Sequence, residues 1–456
     1  MRYYSTRNKN DPVGFAKAAL TGLAPDGGLY VPEEIPQFGK VVKSSLGTMT
    51  FNEIALETLK LWTGDDVPRG ILEEIVHEAY PFSAPLVPAA GKPVLELFHG
   101  PTAAFKDFGA RFMARTFSYL RRGEEKPLTV LTATSGDTGG AVADGFCGIN
   151  GISVAVLYPK GRVSELQEKQ IAGHGNNIRA LAVEGSFDDC QRLVKEAFCD
   201  QELRARLALA SANSINIARL LPQTIYYAAA SGRINSGRFD PDGAATPRAV
   251  SVSPSGMHSA GSEGIFLRTG PAVFSVPSGN FGNLTAGLYA YKMGAPIKGF
   301  IAATNINRTF PDYLANGNYA ARDSAATISN AMDVGSPSNF ERMASHFTWT
   351  QMREIIAGIS VTDDETRKTI SEVYEKGYFL DPHTAVGWYA AEQFNKKGQG
   401  EVIAVVSTAH PAKFKEILEP LTGPVPLPPS LKNIMERKTE VRTIPAELDA
   451  LKGCLI

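Results

Sequence analysis

The sequence has little of what marks a secreted, membrane-bound or nucleic-acid-binding protein. Its 456 residues include four cysteines and no CxxC pair, and no His, Cys and Asp cluster has metal-ligand spacing, so we expect neither disulfides nor a metal site. The formal net charge of -1 gives no electrostatic reason to expect nucleic acid or a membrane surface as a partner. It contains no run of roughly 18 apolar residues and no apolar segment near its start. These absences predict a reduced, cytoplasmic protein.

What is present is the composition and the element order of an α/β protein. Hydrophobic residues make up 43% and charged residues 20%, the balance of an ordinary globular chain, and the length suggests two or three domains. From about residue 85 onward, short apolar runs alternate with helical patterns, which is typical of βαβ units and a parallel sheet. We predict buried strands at residues 128–133, 152–158, 178–183, 272–276, 297–302 and 401–408, and one long helix over 215–230.

Four segments follow from this pattern. Residues 1–90 are interpreted as a mostly helical N-terminal segment, and residues 91–234 as a first α/β lobe. Residues 235–268 are rich in Gly, Ser and Pro with almost no aliphatic period, which indicates an insertion without a role in a site. Residues 269–456 resume the alternation of strands and helices and predict a second α/β lobe.

A lysine between two aromatic residues is the most informative feature, in the segment HGPTAAFKDFG at residues 99–109. Lys106 follows a Gly-Pro turn and opens a helical pattern in which apolar residues recur three or four apart. Apolar surroundings and a helix N-terminus disfavour the ammonium form, so the amine of such a lysine becomes available as a nucleophile. A solvated surface lysine is the commoner occupant of a helix start, and two further loops decide between these interpretations.

Both loops are rich in glycine, follow predicted strands and precede predicted helices. TSGDTGG, residues 134–140, offers donors that suit a carboxylate or phosphate, although a capped turn with Ser or Asp as N-cap would look the same. PSGNFGNLTAG, residues 277–287, has Gly and Asn where positive φ is tolerated and predicts a phosphate cradle. It matches neither the dinucleotide nor the nucleoside-triphosphate fingerprint. A reactive lysine, a carboxylate loop and a phosphate cup together indicate a site for pyridoxal 5'-phosphate (PLP) and an amino acid.

In combination and in this order, the three segments resemble those of the threonine synthases, which are fold-type II (tryptophan-synthase-β-like) PLP enzymes. Other segments that carry the resemblance are DGGLYVP (26–32), NSINIAR (213–219), AATN (302–305), NAMD (330–333), DPHTAV (381–386) and STAHPAK (407–413). The resemblance implies two parallel-sheet α/β lobes beside the helical N-terminal segment. It also implies conversion of O-phospho-L-homoserine and water to L-threonine and phosphate. We expect a monomer or a homodimer.

The resemblance also implies roles for individual residues. Lys106, with Phe105 beside it, would hold the cofactor covalently and later move protons, and Thr408 would bond the pyridine nitrogen of the cofactor. The cofactor phosphate would lie in a cup formed by Gly279, Asn280, Phe281, Gly282 and Asn283. The substrate carboxylate and the cofactor ring would lie near Thr134, Ser135, Gly136, Asp137 and Thr138.

A second anion site is needed for the phosphate of the substrate. Its candidates are Arg162 and Arg219, and also Lys160; a guanidinium can hold a phosphate by two hydrogen bonds, although each of the three could instead be a surface charge or a helix cap. Asp137 departs from the pattern of fold-type II enzymes, which usually have Asn there to donate to the cofactor phenolate. Either Asp137 turns away to cap the following helix, or it shares a proton.

Three alternative functions fit parts of this pattern. A phospho-lyase on the same fold would release 2-oxobutanoate, phosphate and ammonia, and product analysis would separate it from a synthase. A serine/threonine dehydratase would have no use for the second basic site, and a non-catalytic scaffold would not need to retain Lys106 with both loops. We expect His383 and His410 to make structural hydrogen bonds, and the adjacent Tyr226 and Tyr227 to belong to the core.

Overall fold

The computed structural model describes residues 1–238, 269–396 and 401–456. The predicted insertion at 235–268 lies outside the described residues, apart from 235–238. Of these, Asn235 is the last residue of a helix. None of the helices in the described ranges is both long and apolar enough to span a lipid bilayer.

The buried apolar runs form strands close to where the sequence predicts them. In chain order the strands are β1 (Arg2–Ser5), β2 (Val13–Gly14), β3 (Tyr30–Pro32), β4 (Leu86–Ala89), β5 (Lys92–Glu96), β6 (Leu128–Ala133), β7 (Ile152–Pro159), β8 (Ile178–Glu184), β9 (Ala208–Ser211), β10 (Ala272–Pro277), β11 (Ile297–Thr304), β12 (Ile356–Ser360), β13 (Ile403–Ser407) and β14 (Val441–Pro445). The six predicted runs correspond to β6, β7, β8, β10, β11 and β13. Their continuous apolar character reflects burial on both faces, as in parallel sheets covered by helices.

Helices connect and cover these strands. In chain order they are α1 (Phe15–Thr21), α2 (Lys40–Ser45), α3 (Phe51–Thr63), α4 (Arg69–Ala79), α5 (Lys106–Leu120), α6 (Asp137–Phe146), α7 (Glu165–Ala172), α8 (Phe187–Cys199), α9 (Gln201–Arg206), α10 (Ile217–Leu220), α11 (Thr224–Asn235), α12 (Gly282–Met293), α13 (Thr309–Asn316), α14 (Phe340–His346), α15 (Trp349–Ile355), α16 (Asp363–Glu375), α17 (Pro382–Asn395), α18 (Lys415–Thr422), α19 (Pro429–Met435) and α20 (Leu448–Leu455). The long helix predicted over 215–230 is wrong, because a 3-10 turn at Leu221–Gln223 separates α10 from α11. Pro222 explains the break, since proline has no N–H for the helical ladder and clashes with the preceding turn.

Two mainly parallel sheets form two lobes. The five-stranded sheet has the order β14-β8-β7-β6-β9, and the six-stranded sheet has the order β12-β11-β10-β13-β5-β4, in which β4 pairs antiparallel with β5. The predicted α/β architecture with two parallel-sheet lobes is therefore confirmed. The loops that carry the candidate residues leave the carboxyl ends of these strands, where open α/β sheets bind their ligands.

The two sheets exchange strands along the chain. β5 precedes the five-stranded sheet in sequence yet pairs with β13 in the six-stranded sheet, and β14 returns from the last part of the chain to pair with β8. The predicted segments that begin at residues 91 and 269 therefore do not each correspond to one of the two sheets. As a result, the loop after β5, which leads to Lys106, lies beside the loop after β13, which begins with Thr408.

The N-terminal segment packs helices α1 to α4 beside a small antiparallel sheet of order β2-β1-β3. Its mostly helical character is confirmed, and its strands are too short to give an alternating sequence pattern. Trp62 of α3 is fully buried and donates from Nε1 to the Thr224 hydroxyl at the start of α11 (3.2 Å). The segment therefore supports α11, which in turn contacts α12, the helix that follows the predicted phosphate cup.

Candidate active site

Lys106 is the first residue of α5, and the loop before it is bonded to the segment after β13. The Phe105 N–H donates to the Thr408 carbonyl (2.9 Å), and the His410 N–H donates to the Ala103 carbonyl (3.0 Å). Ala103 has a φ of 54°, a left-handed conformation that costs a residue with a side chain about 1–2 kcal/mol. The bonds to the neighbouring segment hold the loop in this strained shape and fix where α5 begins.

The amine of Lys106 is nearly enclosed. Its Nζ lies 3.5 Å from a carboxylate oxygen of Asp137 and 5.2 Å from the ring centroid of Phe105. Burial lowers the pKa of the Lys106 amine; the Asp137 carboxylate opposes this shift, and the cations of Lys413 and Arg219 add to the lowering. The environment thus agrees with the prediction of an amine that releases its proton more readily than an exposed lysine.

The loop after β6 uses its first hydroxyl to hold its own main chain. The Thr134 hydroxyl accepts from two N–H groups of the loop (3.0 and 2.9 Å) and donates to the Gly136 carbonyl (3.0 Å). Gly136 has a φ of 149°, and a Cβ there would lie 2.4 Å from Nε2 of Gln167, so only glycine fits. Ser135 is exposed and Thr138 is half-buried. Thr134 therefore braces the loop, and Ser135 and Thr138 are the hydroxyl residues that a substrate could reach.

Asp137 does not adopt the first arrangement considered from the sequence, in which it caps the following helix. It is the first residue of α6, but its side chain makes no cap hydrogen bond with that helix. Its carboxylate instead accepts from Nζ of Lys413 (2.8 Å) and from Nε2 of Gln167 (3.3 Å), beside Lys106. Burial alone would raise the pKa of Asp137, but the two lysine cations outweigh burial and hold this pKa well below its usual range. These contacts therefore favour the carboxylate form of Asp137.

Lys413 is a site residue that the sequence analysis missed. It lies in a 3-10 turn, Pro411–Phe414, directly after β13, and its side chain is 0% exposed. Its Nζ also donates to the Thr102 carbonyl (2.9 Å) in the loop that leads to Lys106. The available signal was a single charged residue in the run TAHPAKF, residues 408–414, immediately after a buried strand.

The loop after β10, which is predicted to be the phosphate cup, joins β10 to the N-terminus of α12, and its backbone strain falls on an unexpected residue. Phe281 has φ 57° and ψ 11°, a left-handed conformation at the N-cap of α12; within this described loop, Gly279 and Gly282 do not have positive φ. The Phe281 ring packs against Phe310 with 4.8 Å between ring centroids, which stabilises the strained backbone. Gly279 is required for a different reason, because a Cβ there would lie 2.8 Å from Cα of Met332.

The side chain of Asn280 supports the cup from outside. Its Nδ2 donates to the Ser214 hydroxyl (2.7 Å), and its Oδ1 accepts from the Ser338 N–H (2.5 Å). Its carbonyl accepts from Nδ2 of Asn339 (3.0 Å), and Asn339 is held in turn by Nη1 of the fully buried Arg342 (2.7 Å). The side-chain nitrogen and oxygen of Asn280 are therefore both bonded to other protein groups, and they are not free to bind a cofactor phosphate as predicted.

Asn283 has a donor that the protein leaves unused. Its Oδ1 accepts from the hydroxyl groups of Tyr226 and Tyr227, at 2.7 Å each. Its Nδ2 is buried and has no hydrogen-bond partner among the described residues. Both tyrosines are fully buried, as predicted for core residues, but they also orient this amide, a role that the sequence analysis missed.

Thr408 and the two histidines are buried. Thr408 is 6% exposed and lies where this segment bonds the lysine loop. His383 accepts a main-chain N–H at Nε2 (3.2 Å), and its Nδ1 lies 2.9 Å from Asp381. His410 accepts the Ala412 N–H at Nδ1 (3.1 Å), and burial lowers its pKa to about 4. Both histidines thus make structural hydrogen bonds, as predicted.

The three cations predicted for a substrate phosphate have different environments. Lys160 is exposed and pairs with Glu184 (3.0 Å). Arg162 is exposed in the turn between β7 and α7. Arg219 is buried: its Nη1 donates to the Ala212 carbonyl (2.5 Å), and its Nε has no partner among the described residues. Burial lowers the pKa of Arg219 to about 10, so the guanidinium stays charged at neutral pH.

These residues fit PLP on three grounds. Lys106 supplies a buried amine of lowered pKa. The unused Nδ2 of Asn283 and the N-terminus of α12 supply donors for a phosphate. The buried cations Arg219 and Lys413 make the surroundings favourable for an anion. The site therefore has the charge and the donors that a phosphorylated aldehyde cofactor requires.

Known protein families match nearly the whole chain. Residues 2–80 match the threonine synthase N terminus, residues 94–409 match the pyridoxal-phosphate dependent enzymes, and residues 384–454 match the C-terminal part of threonine synthase. A threonine synthase from Escherichia coli (strain K12) is 41% identical over 100% of this chain and 99% of its own length.

Solved structures give the same result. The crystal structure of threonine synthase from Escherichia coli has a TM-score of 0.85 and 40% identity, with 100% of this chain and 99% of the other covered. The structure of PLP-bound threonine synthase from Brucella melitensis has a TM-score of 0.86 and 36% identity, with coverage of 100% and 98%. The prediction of the fold-type II architecture is thereby confirmed.

Proposed function

This chain belongs to the threonine synthase family of PLP-dependent enzymes, and on that premise we propose that it converts O-phospho-L-homoserine and water to L-threonine and phosphate. The observation that carries the proposal is the position of Lys106. Its Nζ is enclosed next to the ionised Asp137, in a loop bonded to the Thr408 segment. A mobile amine in this position is the group that the reaction needs.

Bound PLP supplies an electron sink that acidifies the Cα–H bond of an attached amino acid. We propose that Nζ of Lys106 holds the cofactor and then acts on the substrate. Loss of phosphate from Cγ requires that protons leave first Cα and then Cβ. A proton must then be added to Cγ, which becomes the methyl carbon of threonine, before water adds at Cβ and a proton returns to Cα. One amine beside these carbons can serve as base in the first half and as acid in the second.

The cup and the Thr408 segment would hold the two ends of the cofactor. We assign the main-chain N–H groups of residues 279–283 and Nδ2 of Asn283 to its phosphate, because that amide nitrogen has no partner among the described residues. We assign the Thr408 hydroxyl to the pyridine nitrogen. A hydroxyl is neutral, so this nitrogen would stay largely unprotonated.

The substrate would lie on the side of the five-stranded sheet. We assign its carboxylate to Ser135 and Thr138, which are exposed and half-buried in the loop after β6. We assign its phosphate to Arg162, which is exposed and has no ion-pair partner in the described ranges, and to the unused Nε of the buried Arg219. A guanidinium binds phosphate by charge-assisted hydrogen bonds, which are among the stronger contacts in proteins.

We further propose that the protein works in the cytoplasm as a monomer or a homodimer. Its four cysteines, all among the described residues, are free thiols, which suits a reducing compartment. Light scattering after gel filtration would give the oligomeric state, and a stable trimer or larger assembly would contradict the proposal.

The test is an incubation of the PLP-loaded protein with O-phospho-L-homoserine, in which phosphate, threonine and 2-oxobutanoate are quantified together. We expect equal amounts of phosphate and threonine. Lys106→Ala should reduce the rate by roughly a thousandfold or more, because it removes the proton-transferring amine. Lys195→Ala, a change at an exposed lysine of α8, is the matched control and should leave the rate unchanged.

Two results would contradict the proposal. Phosphate accompanied by 2-oxobutanoate instead of threonine would identify a phospho-lyase on the same fold. A cofactor-loaded protein that releases no phosphate would show that the substrate is a different amino acid.

A further inference from the structure

Lys413 has no role in the function proposed above, yet its environment is unusual for a lysine. Its side chain is 0% exposed, and its Nζ is divided between Oδ1 of Asp137 (2.8 Å) and the carbonyl of Thr102 (2.9 Å). Removing an ammonium group from water costs several kcal/mol, which its partners must offset. A lysine in this place therefore needs a reason beyond filling space.

The distances around Asp137 indicate that reason. Lys413 is the nearer lysine at 2.8 Å, whereas Nζ of Lys106 lies at 3.5 Å from the other carboxylate oxygen. Asp137 thus has one fixed cationic partner and one that would lose its ammonium form when it binds an aldehyde. Without Lys413, the buried carboxylate would have no close cation whenever the nitrogen of Lys106 is unprotonated.

We propose that Lys413 is a positioning residue that keeps Asp137 a carboxylate of constant charge, so that the nitrogen of Lys106 gains and loses protons against a fixed counter-ion. The inference rests on the proposed function in one respect, namely that Lys106 is the lysine that holds PLP. It goes beyond that function because it gives Lys413 a task and explains why an aspartate can stand at position 137.

The charged and titratable groups that face Lys106 and Asp137 come from several elements, and Lys413 itself faces the Asp107 carboxyl and the His410 imidazole. Besides each other, Lys106 faces the cations of Lys413 and Arg219, and Asp137 faces His383 in addition to the two lysines. Among these, Lys413 acts on Lys106 in two ways. Its own charge repels a proton on Lys106, and its pairing with Asp137 weakens the attraction that the carboxylate exerts there. Both effects lower the pKa of the Lys106 nitrogen, so their removal should raise it.

Lys413 also contributes to the shape of the site, and a test must separate the two effects. The Thr102 carbonyl that it binds belongs to the loop before Lys106, and the Thr102 hydroxyl and N–H donate to Asp107 (2.6 and 2.9 Å). Loss of Lys413 could therefore loosen this loop without any electrostatic consequence. Loosening would lower cofactor loading and thermal stability, but it would not shift a proton equilibrium in a defined direction.

The experiment is a pH titration of the visible absorbance of the PLP-loaded protein, which reports protonation of the nitrogen that links the cofactor to Lys106. We expect the midpoint to rise by about one pH unit or more in Lys413→Met and to fall in Asp137→Asn. The double variant Asp137→Asn/Lys413→Met removes both charges and should return to within about half a unit of the unchanged protein. Lys413→Arg keeps the charge and should restore the midpoint.

Each outcome bears on the inference. A Lys413→Met protein with lower thermal stability and an unshifted midpoint would overturn it and leave Lys413 a structural residue. If Lys413→Met does not fold, the titrations of Asp137→Asn and the double variant decide, and equal midpoints in both would overturn it. Borohydride reduction and peptide mapping separately identify the lysine that holds PLP; attachment at a lysine other than Lys106 would contradict the proposed function itself.

Discussion

The two sides of the candidate site handle charge in opposite ways. On the lysine side, the buried carboxylate of Asp137 lies within ion-pair distance of two lysines, the largely enclosed Lys106 and the fully buried Lys413. On the cup side, residues 278–283 contain no charged side chain, and the donors are main-chain N–H groups and the amide of Asn283. The difference matches the two tasks, because one side must change its protonation during the reaction and the other must hold a phosphate whose charge stays the same.

The comparison also indicates which measurements report on each side. Changes among coupled buried charges alter proton equilibria and stability, since a charge without its partner is costly in a protein interior. Changes among neutral donors alter ligand affinity by the value of single hydrogen bonds. The following predictions use this distinction, from the largest expected effect to the smallest.

Asp137→Ala should have the largest effect, a loss of protein stability that arises on the lysine side. It leaves the fully buried Lys413 without its carboxylate, and we expect a loss of about 3–5 kcal/mol in the free energy of unfolding of the cofactor-free protein, measured by urea denaturation. Asp137→Ala/Lys413→Met removes the stranded charge as well and should recover most of that loss. If the single and the double variant were equally unstable, the pair would not be coupled as described.

Arg162→Ala tests whether Arg162 binds the phosphate of the substrate. We expect the KM for O-phospho-L-homoserine to rise by roughly tenfold to a hundredfold, the value of hydrogen bonds to a charged group, with a smaller effect on kcat. Lys160→Ala is the matched control in the same turn, because Lys160 pairs with Glu184. Equal effects of the two changes would assign the substrate phosphate to the general charge of the turn and not to Arg162.

Gly279→Ala should deform the cup without adding any charge. Its Cβ would lie 2.8 Å from Cα of Met332 and 2.9 Å from the Ala331 carbonyl oxygen, and main chain cannot move as a side chain can. We expect about 1–3 kcal/mol of destabilisation in the cofactor-free protein. At Gly282, by contrast, a Cβ would make an ordinary 3.6 Å contact, so Gly282→Ala is the control. Equal stability of both variants would show that the backbone around Gly279 is less rigid than the contacts indicate.

Tyr227→Phe should give the smallest and most specific effect. It removes one of the two hydroxyl groups that orient the Asn283 amide, and we expect the dissociation constant for PLP to rise by about threefold to tenfold. The pH midpoint of the bound cofactor should stay the same, because no charge has changed. A shifted midpoint would show that the two sides are electrostatically coupled, against the comparison drawn above.

The sequence predicts much of the fold because the parallel strands are buried on both faces and leave continuous apolar runs. It does not predict the pairing of β14 with β8, since β14 has one buried residue, Ile444, in a polar segment. Pro222 was a sequence signal for the break in the helix over 215–230. The apolar pattern around it nevertheless favoured one continuous helix. These errors arise where a long-range contact or a single residue outweighs periodicity.

For the site, the sequence predicts which loops meet but not how their side chains are shared. Lys106 and the cup follow from motifs at strand ends, whereas the partner of Asp137 comes from a turn 276 residues later in the chain, at Lys413. The tyrosines that orient Asn283 have the spacing of core residues and gave no separate signal. Positive φ was expected at Gly or Asn and occurs at Phe281, because packing against Phe310 can stabilise what local preference disfavours.

The exchange of strands has a mechanical consequence. The cup follows β10, the Thr408 segment follows β13 and the lysine loop follows β5, and these three strands are consecutive neighbours in the six-stranded sheet. The loop with Asp137 and the turn with Arg162 follow β6 and β7 of the other sheet. A rigid-body rotation of one sheet against the other would keep the three proposed attachment points of the cofactor at constant separations. It would move Ser135, Thr138 and Arg162, which are assigned to the substrate, and it would also change the distances from Asp137 to Lys106 and Lys413. On the proposed assignments, one sheet would be the frame for the cofactor, and the other would present most of the groups that bind the substrate.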